Sequence, residues 1–385
     1  MKAINLTYVT LHDAKDVHNF SGTEYYIAKA LEKQPVHIDY IGDLHKKMSL
    51  SDLFLKHFYL TFMPENGFLN ERAISVSRNY AKQIINRMNP NTNVIFATSS
   101  IPVSMMDIQN KGIRKVFYTD ATFAAMLDYY PEFTNLGKYA IKQGNLLEQK
   151  ALDNCDLAIY ASEWAAESAI TYYKSNPNKV KIVPRGAGIE TLRTKDEVER
   201  IICSKSKNEC NLLFSGIDWQ RKGGNIALDT AKILYEKGIN VHLDIVGIRN
   251  LSLELPEYVT NHGFISKSTE EGRKKLDDLF SKAHFIVIPT RAECMGIVFC
   301  EASSYGLPSL ATNTGGVASA IRDNINGKLF QLSDNASKYA EYIEHTLADF
   351  ENYLQLCFSS FTEYQTRLNW DVAGEKIIQF IENLL

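Results

Sequence analysis

The sequence lacks the cysteine and histidine patterns of a disulfide scaffold or a metal protein. Its six cysteines contain no C-x-x-C pair, so their spacing predicts neither a zinc site nor a redox pair. No histidine has a metal-like spacing to a second histidine or to a cysteine. Long hydrophobic runs are missing too, and none approaches the roughly 20 residues that span a bilayer. We therefore expect reduced core cysteines and a cytoplasmic protein.

The chain also lacks an excess of charge of one sign. Its 42 basic and 45 acidic residues give a net charge of −3 at pH 7, and this balance does not favour a nucleic-acid partner. A hydrophobic fraction of 45% and a charged fraction of 23% are typical of a globular protein. Because 385 residues exceed the roughly 250–300 at which a single core stops growing, we expect two domains.

Short β-branched or aromatic runs alternate with amphipathic segments along the chain, which predicts parallel sheets covered by helices. The first half begins with a strand at 4–10, a helix at 24–33 and a strand at 36–41. After a polar stretch at 191–208 the alternation starts again and continues to a strand at 309–312. The pattern predicts two α/β domains in tandem, at 1–190 and 191–368, with helical sequence over 335–385.

The segment 45–64 mixes bulky apolar residues with Lys46, Lys47 and Lys56. Two interpretations stay open. A buried helix or hairpin would place the apolar side chains in a core, whereas a peripheral contact with the inner membrane face would use both the apolar and the basic side chains.

The densest group of chemistry-bearing residues lies at 289–316, after a predicted strand at 285–288. Ligands of open α/β sheets bind at the carboxyl ends of strands, and amides at a helix start bind anions such as phosphate. Glu293 and Glu301 lie in an otherwise apolar stretch, where carboxylates without a partner would be costly. A carboxylate that accepts two hydrogen bonds suits the paired hydroxyls of a ribose.

A second group at 214–224 follows the first strand of the second half and contains Gly216, Arg221 and Lys222. A diphosphate leaving group needs positive charge where negative charge develops, and two cations at a strand–helix junction provide it. A solvated basic turn is the alternative.

Together these residues resemble the signature of the family-four retaining glycosyltransferases, which have the GT-B fold. The resemblance is carried by the pattern Glu293-x7-Glu301, Ala302, Gly306-Leu307-Pro308, Thr314-Gly315-Gly316, Asn326-Gly327, Gly216 and Arg221-Lys222-Gly223-Gly224. It implies an α/β protein with two Rossmann-like, doubly wound domains that face a central cleft. The N-terminal domain would bind the acceptor and the C-terminal domain the nucleotide sugar, and a helix at 369–385 would pack back on the N-terminal domain.

The resemblance also implies a role for each matched residue. Glu301 would bind the ribose, Glu293 would contact hydroxyls of the transferred sugar, and Lys222 with Arg221 would neutralise the diphosphate. Further donor contacts would come from Gly22 and Gly216, from the backbone of Phe264 and Ile265 beside the nucleobase, and from the amides of Met295, Gly296 and Ile297.

Asp120 stands in the sequence YTDAT, where many members of this family carry a histidine beside the donor sugar. It follows a predicted strand at 115–118. Asp120 would either cap a helix that starts at Ala121 or hydrogen-bond the donor sugar or an acceptor hydroxyl, and both alternatives stay open. With Glu293 and Lys222 it completes the predicted catalytic set.

The implied activity is that of a retaining hexosyltransferase without cofactor or metal. The donor would be a UDP- or GDP-linked sugar, and the acceptor a glycan, a lipid or a small molecule. Metal independence is expected because Arg, Lys and helix amides do the work of Mg²⁺ in this family and no DxD motif is evident. Two alternatives remain: a sugar-nucleotide epimerase or phosphorylase on the same architecture, and a sugar-nucleotide-binding protein without activity.

Overall fold

The computed structural model describes residues 3–17, 19–63, 72–108, 112–189 and 193–385. The chain forms two compact units: unit 1 comprises Met1–Pro184 with Trp370–Leu385, and unit 2 comprises Arg185–Asn369. The sequence placed the boundaries at 190/191 and 368/369. The first of these lies outside the described residues.

The first stretch of chain contains the strands of unit 1 and most of its helices. The strands are β1 (Ile4–Val9), β2 (Val36–Ile41), β3 (Val94–Ala97), β4 (Arg114–Thr119), β5 (Leu157–Tyr160) and β6 (Val180–Ile182). The helices are α1 (Thr23–Glu32), α2 (Leu50–Phe62), α3 (Ile74–Arg87), α4 (Ser100–Ser104), α5 (Phe123–Met126), α6 (Lys138–Asn154) and α7 (Glu163–Thr171). Short 3₁₀ turns lie at Asn19–Gly22, Pro131–Phe133 and Pro177–Lys179.

Unit 2 repeats the alternation of strand and helix. Its strands are β7 (Cys210–Ser215), β8 (Val241–Val246), β9 (Val259–Asn261), β10 (Phe285–Ile288), β11 (Ser309–Thr312) and β12 (Gly327–Phe330). Its helices are α8 (Lys195–Cys203), α9 (Gly224–Glu236), α10 (Glu270–Lys282), α11 (Ile297–Ser303), α12 (Val317–Ala320), α13 (Ala336–Ala348) and α14 (Phe350–Thr366). The last helix, α15 (Trp370–Glu382), returns to unit 1.

Each unit has a parallel sheet of six strands, in the order β2-β1-β3-β4-β5-β6 in unit 1 and β12-β11-β10-β7-β8-β9 in unit 2. Helices cover such sheets on both faces, so their central strands are continuous apolar runs. In β10 all four side chains, Phe285 to Ile288, are fully buried. The α/β class with parallel sheets, predicted from the alternation, is confirmed.

The strand order reverses once in each sheet. The chain winds from β1 to β2 and then crosses back to β3 on the other side of β1, and in unit 2 it crosses from β9 back to β10 on the other side of β7. At such a point the loops after the two neighbouring strands lead away from each other, and a crevice opens at the carboxyl ends of the strands. Each unit therefore has one candidate ligand crevice, between β1 and β3 and between β7 and β10.

Helix α15 packs on α1 within unit 1. The rings of Tyr26 and Trp370 stack with centroids 6.3 Å apart, and Lys33 Nζ lies 2.6 Å from Asp371 Oδ1. A side chain at Gly374 would place its Cβ 2.9 Å from the Ala30 carbonyl oxygen, so only glycine allows this approach. The carboxyl-terminal residues are thus part of the unit that the amino-terminal residues build.

Helix α2 tests the interpretation of the segment 45–64 as a buried helix or hairpin, and the last residue of this segment lies outside the described part. The segment does form a helix, but among the residues of α2 only Asp52 is buried. The interpretation as a buried helix or hairpin is therefore wrong for residues 50–62. Within the described residues, no helix is both long and apolar enough to cross a membrane.

Candidate active site

The crevice of unit 2 lies between the loops that follow β7 and β10, and hydrogen bonds join these loops directly. The Arg291 amide donates to the Arg221 carbonyl at 2.8 Å, and the Arg221 guanidinium donates to the Ala292 carbonyl, also at 2.8 Å. The Thr290 hydroxyl donates to the Arg221 carbonyl at 3.2 Å. Because these bonds fix one loop against the other, groups from both are held in one arrangement without a ligand.

Three predicted site residues meet here. Lys222 Nζ donates to Glu293 Oε2, and Arg221 Nη1 lies 3.7 Å from the same carboxylate oxygen. Both members of the Lys222–Glu293 pair are largely withdrawn from water, with side-chain exposures of 11% and 12%. An ion pair in such surroundings is screened much less than one at the surface. The alternative of a solvated basic turn is therefore wrong for Lys222.

Glycine permits close approaches on both sides of this cluster. The Lys222 side chain passes over Gly216, where a Cβ would lie 2.9 Å from Lys222 Cγ. Gly296 has φ 87° and stands before the first residue of α11, where a Cβ would lie 2.6 Å from the Phe299 ring. No side chain caps this helix start in the part of the chain that the structure describes. The first amides of α11 therefore remain as donors toward an anion in the crevice.

Glu301 lies on α11 and is only 6% exposed. Lys267, in the loop between β9 and α10, donates to Glu301 Oε1 and also lies 3.5 Å from the Gly188 carbonyl. Lys267 is a site residue that the sequence did not predict. It lies 34 positions away from Glu301 in a polar loop, and nothing in that loop indicates which carboxylate its lysine would meet.

The predicted nucleobase contacts lie after β9, the strand at one edge of the unit 2 sheet. Strand β9 ends at Asn261, so Phe264 and Ile265 lie in the loop that follows it. The Phe264 side chain is half exposed, and the guanidinium of Arg249 stacks over its ring at 4.6 Å from the centroid. Arg249 follows β8 and was also missed, because a lone arginine after a strand has no distinctive spacing.

Gly22 and Asp120 belong to unit 1, and their contacts with a donor stay predictions. Gly22, with φ 79°, stands directly before α1 at the carboxyl end of β1. The helix after β4 begins at Phe123, and its N-cap is Thr122, whose Oγ1 accepts from the Ala125 amide at 3.2 Å. The prediction that Asp120 caps a helix from Ala121 is therefore wrong, because the turn into α5 takes two more residues.

Unit 1 holds two buried carboxyls that the sequence did not single out. Glu24, in the first turn of α1, accepts from Thr98 Oγ1 at 2.7 Å. Glu148, on α6, accepts from Ser100 Oγ at 2.9 Å and lies 3.4 Å from Arg72 Nη1. Burial raises the pKa of both carboxyls, against the lowering effect of the Thr98 hydrogen bond on Glu24 and of the Arg72 charge on Glu148.

Histidine, cysteine and carboxylate side chains form no group of three or more that could hold a metal ion among the described residues. The residues gathered in the unit 2 crevice are instead two ion pairs, Lys222–Glu293 and Lys267–Glu301, beside an uncapped helix start. This set offers cations and amides to phosphates, and carboxylates to hydroxyls.

Solved structures with the same architecture give the class of the fold. A glycosyltransferase from Rickettsia africae is similar over 99% of both chains, with a TM-score of 0.67 at 15% identity. A sucrose-phosphate synthase from Thermosynechococcus elongatus has a TM-score of 0.69 at 16% identity over 99% of both chains. The Anabaena protein HepE in complex with UDP has a TM-score of 0.65 at 14% identity and covers 99% of this chain and 100% of its own. The fold is GT-B, as predicted.

A family model matches part of unit 2. The family described as Glycosyl transferases group 1 matches residues 209–349, which lie in unit 2 and contain the crevice. The resemblance predicted from the motifs is thereby confirmed over this part of the chain.

Curated relatives include the D-inositol 3-phosphate glycosyltransferases of Paenarthrobacter aurescens and Catenulispora acidiphila. The first is 23% identical over 210 residues and the second 27% identical over 215 residues. Each alignment covers 52% of this chain and 51% of the relative, so the chain spans about half the length of these relatives.

Proposed function

We propose that the protein is a glycosyltransferase that binds a nucleoside-diphosphate sugar in the unit 2 crevice and transfers the sugar to an acceptor bound by unit 1. The observation that carries the proposal is the Lys222–Glu293 pair with Arg221 beside it, at the crevice between β7 and β10. A diphosphate can bind where two cations and helix amides are fixed in advance. The family match over residues 209–349 supports the same activity.

The donor parts are assigned to residues by their chemistry. Glu301 accepts hydrogen bonds from the ribose hydroxyls, and Lys267 donates to the same carboxylate. Glu293 accepts from hydroxyls of the transferred sugar. The nucleobase lies beside Phe264, in the loop after β9, and Arg249, in the loop after β8. Because the similar HepE structure contains UDP, we propose a UDP-linked sugar as the donor to test first.

The reaction we propose retains the configuration of the sugar. The acceptor oxygen bonds to the anomeric carbon on the face from which the diphosphate leaves, as the bond between that carbon and the phosphate oxygen breaks. The departing phosphate oxygen takes the acceptor proton. Lys222 and Arg221 stabilise the charge that grows on the diphosphate, and this electrostatic stabilisation is the main contribution of the protein.

We also propose that protein cations replace a divalent metal and that the enzyme acts in the cytoplasm. The acceptor that we propose is a glycan, a lipid or a small molecule.

Activity should persist in excess EDTA, because Lys222 and Arg221 supply the countercharge. Loss of activity that Mg²⁺ or Mn²⁺ restores would contradict metal independence.

A donor screen tests the activity itself. Release of nucleoside diphosphate is measured for UDP- and GDP-linked sugars with and without acceptors, and the anomeric configuration of the product is determined by NMR. Release that requires an acceptor, with retained configuration, is the expected result. Turnover to a new nucleotide sugar without an acceptor would indicate an epimerase, and tight binding without turnover a binding protein.

A further inference from the structure

The crevice of unit 1 lies between the loops that follow β1 and β3, at residues 10–22 and 98–99. The Thr98 amide donates to the Val9 carbonyl at 3.1 Å, which fixes the start of the second loop on the end of β1. Glu24, in the first turn of α1, accepts from Thr98 Oγ1 at 2.7 Å. The carboxyl of Glu24 therefore lies where the carboxyl ends of β1 and β3 meet, which is the place that this strand order provides for a ligand.

Two polar atoms at this place have no hydrogen-bond partner in the part of the chain that the structure describes. Thr23 and Glu24 are each only 3% exposed, and Thr23 Oγ1 and Glu24 Oε2 are buried without a partner. Buried polar groups in folded proteins are nearly always hydrogen-bonded, so two unpaired ones beside a crevice indicate a ligand or ordered water. A ligand hydroxyl matches both, because it donates to a carboxyl oxygen and either donates to or accepts from a threonine hydroxyl.

The two crevices differ in the number of cations that their loops supply. The loops after β7 and β10 contain three, Arg221, Lys222 and Arg291. The loops after β1 and β3 contain a single lysine, Lys15, and no arginine. The ammonium of Lys15 lies 5.6 Å from the centroid of the Tyr40 ring on β2. Phosphates are bound by arginine and lysine, so the loops of unit 1 offer a phosphate little countercharge.

From this geometry we propose that the acceptor of unit 1 is an uncharged ring with several hydroxyls, a sugar or a cyclitol without phosphate. Two of its hydroxyls hydrogen-bond Thr23 Oγ1 and Glu24 Oε2, the atoms that are buried and unpaired in the free chain. A phosphorylated acceptor would bring a charge into the crevice, and burial of a charge without a partner is costly. The inference rests on the proposed function, because it names the class of acceptor for unit 1.

Saturation-transfer NMR of the full chain in the presence of UDP tests the acceptor class. The probes are methyl glucoside, methyl galactoside, methyl mannoside and myo-inositol, each measured beside its monophosphate. At least one neutral probe should bind, and its phosphate should bind about tenfold more weakly, because the added charge finds no partner. D-inositol 3-phosphate, the compound in the names of the curated relatives, is the sharpest of the phosphate probes.

Three variants separate binding from folding. Thr23→Val removes a buried hydroxyl that has no partner, so the free energy of unfolding in urea should not fall. The same change should lower the affinity for the neutral probe about tenfold, the usual effect of one hydrogen bond, and Glu24→Gln should lower it by at least as much. Glu32→Gln, at an exposed position of α1 where Glu32 pairs with Lys29, is the matched control and should leave this affinity unaltered.

Calorimetric binding of UDP should be the same in all three variants, because the donor crevice is in unit 2. Tighter binding of the phosphates than of the neutral probes would overturn the inference, and so would the failure of every neutral probe to bind. Equal affinity of the wild type, Thr23→Val and Glu24→Gln would mean that ordered water alone satisfies the two buried atoms, which also overturns it.

A separate outcome would contradict the proposed function alone. If a neutral probe binds and the two variants weaken it, the ligand class of the unit 1 crevice is established. If that probe nevertheless never accepts a sugar from any nucleotide sugar, the proposed transferase activity is contradicted while the ligand class is kept.

Discussion

Units 1 and 2 have the same kind of sheet, but the buried carboxyls near their crevices have different partners. In unit 2, Glu293 and Glu301 are each paired with a lysine. In unit 1, Glu24 accepts from a threonine hydroxyl and Glu148 lies 3.4 Å from Arg72 Nη1, and burial raises the pKa of both carboxyls. A parallel sheet with one reversal of strand order therefore supplies a place for a ligand and leaves its chemistry to the residues that follow the strands. The two lysine-paired carboxylates distinguish the crevice of unit 2 from that of unit 1.

The largest effect should come from removing Lys222, the cation that most clearly distinguishes the crevice of unit 2 from that of unit 1. Lys222→Ala should lower kcat by about 10²–10³-fold, the usual cost of removing one group that stabilises developing charge. Lys232→Ala, which removes an exposed lysine of α9 paired with Glu236, is the matched control. Single-turnover rates check the effect, with circular dichroism to confirm folding. An unchanged chemical step would remove Lys222 from the mechanism.

The two units should also respond to pH with opposite sign. In unit 2, burial together with the charge of Lys205 lowers the pKa of His284 from 6.5 to about 4. The neutral ring accepts from the Asn211 amide at 3.1 Å and donates to the Ser206 carbonyl at 2.9 Å. Because the unfolded chain takes up this proton more readily, unit 2 should lose roughly 3 kcal/mol as pH falls from 6.5 to about 4.

In unit 1 the raised pKa values of Glu24 and Glu148 mean that the folded state retains their protons longer than the unfolded state. Their contribution is present below the unfolded pKa and is lost as pH rises through the folded pKa. Amide hydrogen exchange of each unit, corrected for intrinsic rates, measures the two slopes separately. His284→Gln should flatten the slope of unit 2, while the control His345→Gln, at an exposed position on α13, should not. Slopes of stability against pH with the same sign in both units would contradict the expected difference between them.

A smaller effect is expected from changes to the Lys267–Glu301 pair, and it distinguishes the role of the carboxylate from that of its lysine. Glu301→Ala should weaken donor binding by roughly 1.5–3 kcal/mol, the range for a hydrogen-bonding partner that carries charge. Lys267→Met should weaken it less, because it removes the partner of Glu301 and leaves the carboxyl in place. Calorimetric titration with UDP and a double-mutant cycle measure both. Additive losses would mean that Lys267 contacts the nucleotide independently of Glu301, and full affinity of Glu301→Ala would exclude the ribose role.

The smallest effect concerns the turn after β4 in unit 1. Thr122→Ala should cost about 1 kcal/mol of stability, because it removes the N-cap of α5. Asp120→Asn leaves this cap in place, since Thr122 and not Asp120 caps the helix. If Asp120→Asn nevertheless lowers kcat, Asp120 acts in the reaction. A larger stability loss at Asp120 than at Thr122 would contradict this assignment.

Much of the fold was predictable because it depends on local patterns. The run Phe285 to Ile288 followed by a glycine before a helix is enough to predict β10, its loop and α11. The position of Glu293 followed from these elements, and that of Lys222 followed from β7 and α9. The contact between Lys267 and Glu301 depends on how the loop after β9 returns over α11, and no local pattern contains that information.

The segment 45–64 shows a second limit of sequence patterns. Its apolar content is equally compatible with a core and with a surface, since periodicity shows that a face exists but not what it faces. The inward position of Asp52, hydrogen-bonded to Ser75 on another helix, is what determines the orientation of α2. Such a bond between distant residues appears only in the folded chain.

The return of α15 to unit 1 has a consequence for biosynthesis. Unit 1 is interrupted in sequence by the whole of unit 2, residues Arg185–Asn369, and the chain completes it with Trp370–Leu385. During translation the six strands of unit 1 leave the ribosome before unit 2, but the surface of α1 that receives Trp370 stays uncovered until α15 has been synthesised. Unit 2 can fold as a continuous insert in the meantime. A chain truncated just before Trp370 would therefore hold a complete second unit and an incomplete first one.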